Sequence, residues 1–236
     1  MTSFTYRSDQ KELLDRDDIP FVHIQQNMRE LDRINHYLGG HRITLRGLQS
    51  VLASVAASTP LHVVEIGSGG GDNLRVIKQW AQKSGRQILL TGIDINPECI
   101  AYARSVKENV DIRFLQGDYK EALFDTPPHV VFSSLFCHHF SGEELVYMLR
   151  WMKEQATVGF FINDLHRHPF AYYSIKGITQ LLSRSDLVKN DAPLSVLRGF
   201  KRADWERLFA LSGINGYTLE WRWAFRWLVT YLHSHE

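Results

Sequence analysis

The residues of this chain best suited to chemistry begin at Glu65-Ile66-Gly67-Ser68-Gly69-Gly70-Gly71. Glycines in such a run let the backbone turn sharply and approach a bulky ligand with no side chain in between. Dinucleotides use a similar turn, G-x-G-x-x-G, but after Gly67 and Gly69 that pattern asks for a glycine where Asp72 stands. The run satisfies E-x-G-x-G-x-G in full. Two more acids follow at later strand ends. Asp94 is placed to accept hydrogen bonds from both hydroxyls of a ribose, and Asp118, in Gln116-Gly117-Asp118-Tyr119, to accept from an exocyclic adenine amine. Each acid taken alone reads as well as a helix cap. Acids at three successive strand ends point to an adenosine ligand with a free ribose. Histidines gather at His138-His139 and in Asn163-Asp164-Leu165-His166-Arg167-His168.

These residues need a scaffold, and the apolar pattern supplies one. From Leu61 onward short apolar runs alternate with helical segments, which predicts a parallel sheet flanked by helices. The strands are read at Leu61–Ile66, Gln87–Ile93, Val110–Leu115, Val130–Phe132 and Val158–Ile162. Asn96 followed by Pro97 and Glu98 signals one helix start, and Ser141 with Glu144 signals another as a capping box. The stripe Leu145, Met148, Leu149, Met152 on that second helix is core. Before the sheet, Met28, Leu31, Ile34 and Leu38, then Leu45, Leu48, Leu52 and Val55, predict helices on either side of Gly39-Gly40.

After the fifth strand, residues 163–200 form a long connection. Tyr172, Tyr173, Ile175, Ile178, Leu181 and Leu182 predict a helix there, one face packed and the other toward ligand. A helix over Ala203–Leu211, ended by Gly213, and an antiparallel pair within Tyr217–Tyr231 complete the chain. The expectation is one domain: an N-terminal helical extension (1–58), a core (61–164), an inserted cap (165–200) and a C-terminal helix with a strand pair (201–236).

Bulk properties restrict the function classes. With 27 basic and 26 acidic residues, the charge of +1 over 236 residues gives no reason to expect nucleic acid or an anionic membrane as partner. Met1–Arg16 is polar, and no apolar run approaches the roughly 18 residues needed to span a bilayer. Cys99 and Cys137 lack metal-type spacing and read as buried thiols in a reducing cytoplasm. Oligomeric state is not legible.

With these motifs, the chain resembles the class I S-adenosylmethionine-dependent methyltransferases, and within them the group that includes quinone-biosynthesis enzymes. The resemblance implies a Rossmann-like α/β fold: seven strands, mostly parallel with the last antiparallel, helices on both faces, and cofactor across the carboxyl ends. It implies that Glu65, Gly67, Ser68, Gly69 and Gly71 line the methionine moiety, Asp94 and Ile95 the ribose, and Asp118 and Tyr119 the adenine. Ser133 and Ser134, in the segment running to His139, would lie near the cofactor. One position departs from many relatives: His129, not an aspartate, precedes Val130-Val131.

The implied function is methyl transfer to a small-molecule acceptor, phenolic, quinone-like or polyketide-type, at oxygen or carbon. A phenol with pKa near about 10 would be helped by a histidine base. His166 is the leading candidate, with His138 and His139 next; each alone reads more simply as a cap or a carbonyl partner. Arg167 would orient an anionic acceptor or form an ion pair. His166, His168 and Asp164 have metal-like spacing, but Ser133 and Ser134 stand where catechol-type enzymes carry a second set of acids, so no metal is expected. Two alternatives remain: a nicotinamide-dependent oxidoreductase, which Asp72 disfavours, and a non-catalytic cofactor-binding protein, which the intact motifs disfavour. Ser133-Ser134-Leu135-Phe136 also differs from the Asn/Asp-Pro-Pro-aromatic run of enzymes that methylate flipped bases.

Overall fold

Leu61–Ile66 is buried at all six residues, as a strand covered on both faces must be, and forms β1 in the interior of the sheet. In the computed structural model, which describes residues 3–16 and 19–233, the other strands are β2 (Ile88–Asp94), β3 (Ile112–Gln116), β4 (Val130–Ser134), β5 (Gly159–Leu165), β6 (Tyr217–Arg222) and β7 (Arg226–Leu232). Their order is β3-β2-β1-β4-β5-β7-β6. β7 runs antiparallel to both neighbours, and all the other pairings are parallel. Order reverses between β1 and β4, so the carboxyl ends of β1, β2 and β4 open a crevice where ligands bind in sheets of this kind.

Strand alternation divides the core. Val63, Val130 and Phe161 face α2 (Gly40–Val51), α3 (Asp72–Ser84) and α4 (Pro97–Ser105). Val64, Val131 and Phe160 face the opposite way, toward α5 (Gly142–Gln155) and α8 (Arg202–Ser212). The caps read from sequence are in place. Asn96 accepts from the amides of Glu98 and Cys99, Ser141 and Glu144 form the reciprocal box, and Gly213 closes α8 with φ +72°.

Where α2 crosses the sheet, a Cβ on Gly47 would lie 2.5 Å from the Phe161 ring, which stacks on Phe132 at 4.7 Å. Gly47→Ala is therefore expected to lower stability by about 1–3 kcal/mol through overpacking, read as a lower urea midpoint. An unchanged midpoint would mean that Phe161 has room to retreat.

Three expectations change. β4 and β5 run past their apolar residues through Ser133-Ser134 and Asn163-Asp164, because these buried polar groups find partners on neighbouring elements. The insertion holds two helices, α6 (Pro169–Leu182) and α7 (Asp186–Arg198); Pro193 and the polar run before it hid the second from periodicity. The N-terminal extension is helical in α1 (Phe21–Tyr37) and α2, whereas most of residues 3–16 form a strap outside any α-helix. Of the polar stretch 1–16, residues 1 and 2 lie outside the described residues. Arg7 pins the strap by donating to the carbonyls of Arg198, His138 and Phe140.

Candidate functional site

The β1–α3 turn and the end of β2 meet in one contact: the Gly69 amide donates to Asp94 Oδ2 at 2.8 Å. Asp94 Oδ1 accepts from the Asn96 amide at 2.9 Å, so the carboxylate braces both the glycine turn and the start of α4. Burial raises its pKa against those two amides. Gly69 has φ +48°, and only Met28 Sδ, at 3.4 Å, lies near a Cβ built there, so the backbone borders open space. Gly67, with φ +68°, is needed for another reason: its Cβ would overlap the Phe136 ring at 2.2 Å.

Glu65 is fully buried beneath the turn. Oε1 accepts from Asn73 Nδ2 at 3.0 Å, and Asn73 is held in turn by Thr44 of α2 at 2.9 Å. Oε2 has no hydrogen-bond partner among the described residues. Burial, with the Asp72 and Asp94 carboxylates nearby, pushes the Glu65 pKa well above the usual carboxylate range despite Asn73.

Beside the turn lies a cavity of about 950 Å³. It brings together Glu65, Gly67, Ser68, Gly69, Asp94, Ile95, Ser134, His138 and His139. Its far walls are apolar, with Leu31 and Ile34 of α1, Ile175 and Ile178 of α6, Val188 and Val196 of α7, and Phe225 of the β6–β7 turn. Gly71, Asp118, Tyr119 and Ser133 are not in the lining. Gly71 precedes α3 as its N-cap. Asp118, half-exposed, caps a short turn by accepting from the Lys120 amide at 3.0 Å. Tyr119 is buried edge-on against Trp151, and Ser133 Oγ lies 3.3 Å from Cys137 Sγ.

The histidines separate by environment. His166 lies outside the cavity lining, its Nδ1 accepting from Trp221 Nε1 at 3.2 Å and its ring edge-on to Trp227. Burial, helped by His168, Arg167 and Lys201, lowers its pKa to about 4. It is neutral and packs among aromatic rings, away from the glycine turn. His168 caps α6 through its Nδ1, and Arg167 is buried against Gly199, the strap carbonyls and Asp204. His138 is buried with Nδ1 2.8 Å from Asp164 Oδ1 and Nε2 3.6 Å from Glu12 Oε1. Burial opposes its charge, but Asp164 and Glu12 prevail and raise its pKa to about 9. Its charged form is favoured, with both ring nitrogens directed at carboxylates. His139 also lines the cavity, Nε2 3.8 Å from Glu12 Oε2.

Asp164 turns to His138, so the trio with His166 and His168 is not assembled. Two other groups bring three ligand atoms within 4.8 Å: Glu12 with His138 and His139, and Asp32 with His41 and Asp72. In the second, His41 Nε2 is 2.8 Å from Asp72, and Asp32 pairs with Arg75 at 2.7 Å. Sequence reasoning missed Glu12, Asn73 and Arg226. Glu12 sits in an unpatterned polar segment, and Arg226 in a tail read only as an antiparallel pair; a lone arginine before the apolar run Trp227-Leu228-Val229 was the available signal.

Residues 63–159 match a family model described as a methyltransferase domain. Among solved structures, the plantazolicin methyltransferase BpumL, in complex with a monoazolic desmethylPZN analog and SAH, is similar at 18% identity over 84% of this chain and 72% of that one, with a TM-score of 0.61. The magnesium protoporphyrin IX methyltransferase of Synechocystis PCC 6803, with bound SAM, is similar at 14% identity over 86% and 84%, with a TM-score of 0.55. At these identities the likeness is one of fold. A search of curated proteins gives no match. No helix among the described residues is long and apolar enough to cross a membrane.

Proposed function

We propose that this chain, whose residues 63–159 match a methyltransferase domain, is a class I S-adenosylmethionine-dependent methyltransferase that methylates a phenolic or quinone-like small molecule held between α1, α6 and α7. The observation that carries the reading is the continuity of one cavity from Glu65, Ser68 and Asp94 at the glycine turn to the apolar walls of the inserted helices. Buried atoms at the turn without partners among the described residues, Glu65 Oε2 and Ser68 Oγ, suit a ligand that brings its own polar groups. Asp94 keeps acceptor capacity for ribose hydroxyls, and Asp118, half-exposed beside it, would take the adenine amine at the rim.

Bound S-adenosylmethionine supplies an activated sulfonium methyl group. The protein's share is to orient the acceptor and exclude water, which the apolar helices of the insertion and α1 do by covering the cavity. His139 is the residue we assign to the acceptor's proton, with Glu12 beside it to stabilise the charge it gains.

Incubation with methyl-labelled cofactor and a panel of phenols and hydroquinones should move label into the small molecules, and His139→Ala should slow turnover about 10²–10⁴-fold with little change in cofactor affinity. Equal turnover by His139→Ala would remove its role. Binding of NADH in preference to S-adenosylmethionine would overturn the reading.

A further inference from the structure

Arg226 opens β7 and lines the same cavity, although the residue is only 3% exposed. Its Nη2 donates to Asn35 Oδ1 at 2.9 Å, while Nη1 has no hydrogen-bond partner among the described residues. Asn35 passes the contact on by donating through Nδ2 to Asp72 Oδ2 at 3.0 Å. Gly40 makes room for this arrangement, since a Cβ there would lie 2.7 Å from Asn35 Oδ1 and 3.2 Å from the guanidinium carbon. Burial lowers the arginine pKa to about 10, with Asp164 and Asp72 opposing the fall. A buried cation with an unmet donor is costly, and a fold retains one where a ligand supplies the missing acceptor.

The same cavity offers the opposite case. Glu65 Oε2 is a buried oxygen with no hydrogen-bond partner among the described residues, and Asn73, adjacent in chain to Asp72, holds the other oxygen. An unmatched carboxyl oxygen and an unmatched guanidinium N–H thus line one cavity, each tied to the first turn of α3. We propose that Arg226 is a carboxylate-binding residue of the cavity, its Nη1 donating to a ligand carboxylate oxygen. The proposal rests on the cofactor reading above, and neither the glycine turn nor the strand-end acids include this residue. Two carboxylates have the required chemistry: the amino-acid end of the cofactor, and one carried by the acceptor.

The test is calorimetric titration of wild type, Arg226→Met and Arg226→Lys. The probes are S-adenosylhomocysteine, its decarboxylated analogue and 5′-methylthioadenosine, which lacks the amino acid. If the cofactor is the source, Arg226→Met weakens S-adenosylhomocysteine about 30-fold or more and 5′-methylthioadenosine less than about twofold. Decarboxylating the ligand and removing the guanidinium should then together cost no more than either alone. Arg226→Lys, which keeps the charge without the fork, should fall between, and it serves alone if the methionine variant does not fold. If the acceptor is the source, S-adenosylhomocysteine binds all three proteins equally, and 4-hydroxycinnamate loses its advantage over 4-vinylphenol only in the variants. Equal binding of every probe by every variant overturns the proposal. Failure of wild type to bind either adenosyl compound overturns the cofactor reading itself and takes the proposal with it.

Discussion

His138→Ala is expected to lower the unfolding free energy by about 3–5 kcal/mol near pH 6, the range for removing one partner from a buried ion pair. The imidazole is enclosed by Asp164 at 2.8 Å, by Glu12 at 3.6 Å and by the His139 ring, centroids 4.4 Å apart. Arg7 and Arg198 engage its main-chain carbonyl. Alanine would leave Asp164 buried with backbone amides of Leu165 and His138 but without the imidazolium.

The pH dependence has a definite sign. The folded-state pKa of His138 is raised from 6.5 to about 9, so its stabilisation is complete below pH 6.5 and is lost as pH rises through 9. Burial disfavours the Asp164 carboxylate but His138 outweighs it, so its pKa is lowered and its contribution is lost only in acid, as pH falls through that lowered value. The gap between wild type and His138→Ala should therefore be widest between about pH 4 and 6.5 and shrink by about 3 kcal/mol toward pH 10. Urea unfolding across that range measures it. A gap that stays constant from pH 6 to 10 would show that His138 is not charged in the folded protein.

For Asp94→Ala, the expected result is a loss of S-adenosylhomocysteine affinity of about 100-fold, from two causes acting on one residue. Ribose hydroxyls lose a charged acceptor, worth about 1.5–3 kcal/mol per hydrogen bond. The turn also loses its brace, because the amides of Gly69 and Asn96 are left without the carboxylate they share. Asp118→Ala should cost no more than about tenfold, since its carboxylate is half-exposed and solvent weakens a contact at the rim. Asp94→Asn, which keeps an acceptor for one amide, should lie between. Comparable losses at 94 and 118 would mean that the adenosyl group sits farther toward the rim, and no loss at 94 would move the ribose elsewhere.

Local interactions account for what the sequence alone determined. β1 was legible to the residue because six consecutive buried positions need no distant information, and the caps at Asn96 and Ser141 because each satisfies amides within its own first turn. The pairing of the glycine turn with Asp94 was legible because adjacent parallel strands place their carboxyl ends together. The family resemblance followed from those same residues. The histidines were not separable this way. His138, His139 and His166 are the same side chain, and which is charged, which is turned into aromatic packing and which faces the cavity depends on Asp164, Glu12 and Trp221, residues supplied by other parts of the chain. Arg226 and Glu12 were likewise invisible, since a charge in a tail or a strap reads as solvated until the fold buries it. Spacing along the chain records what a residue does to its own turn; only tertiary structure decides which distant charge it meets, and at a buried site that meeting sets the chemistry.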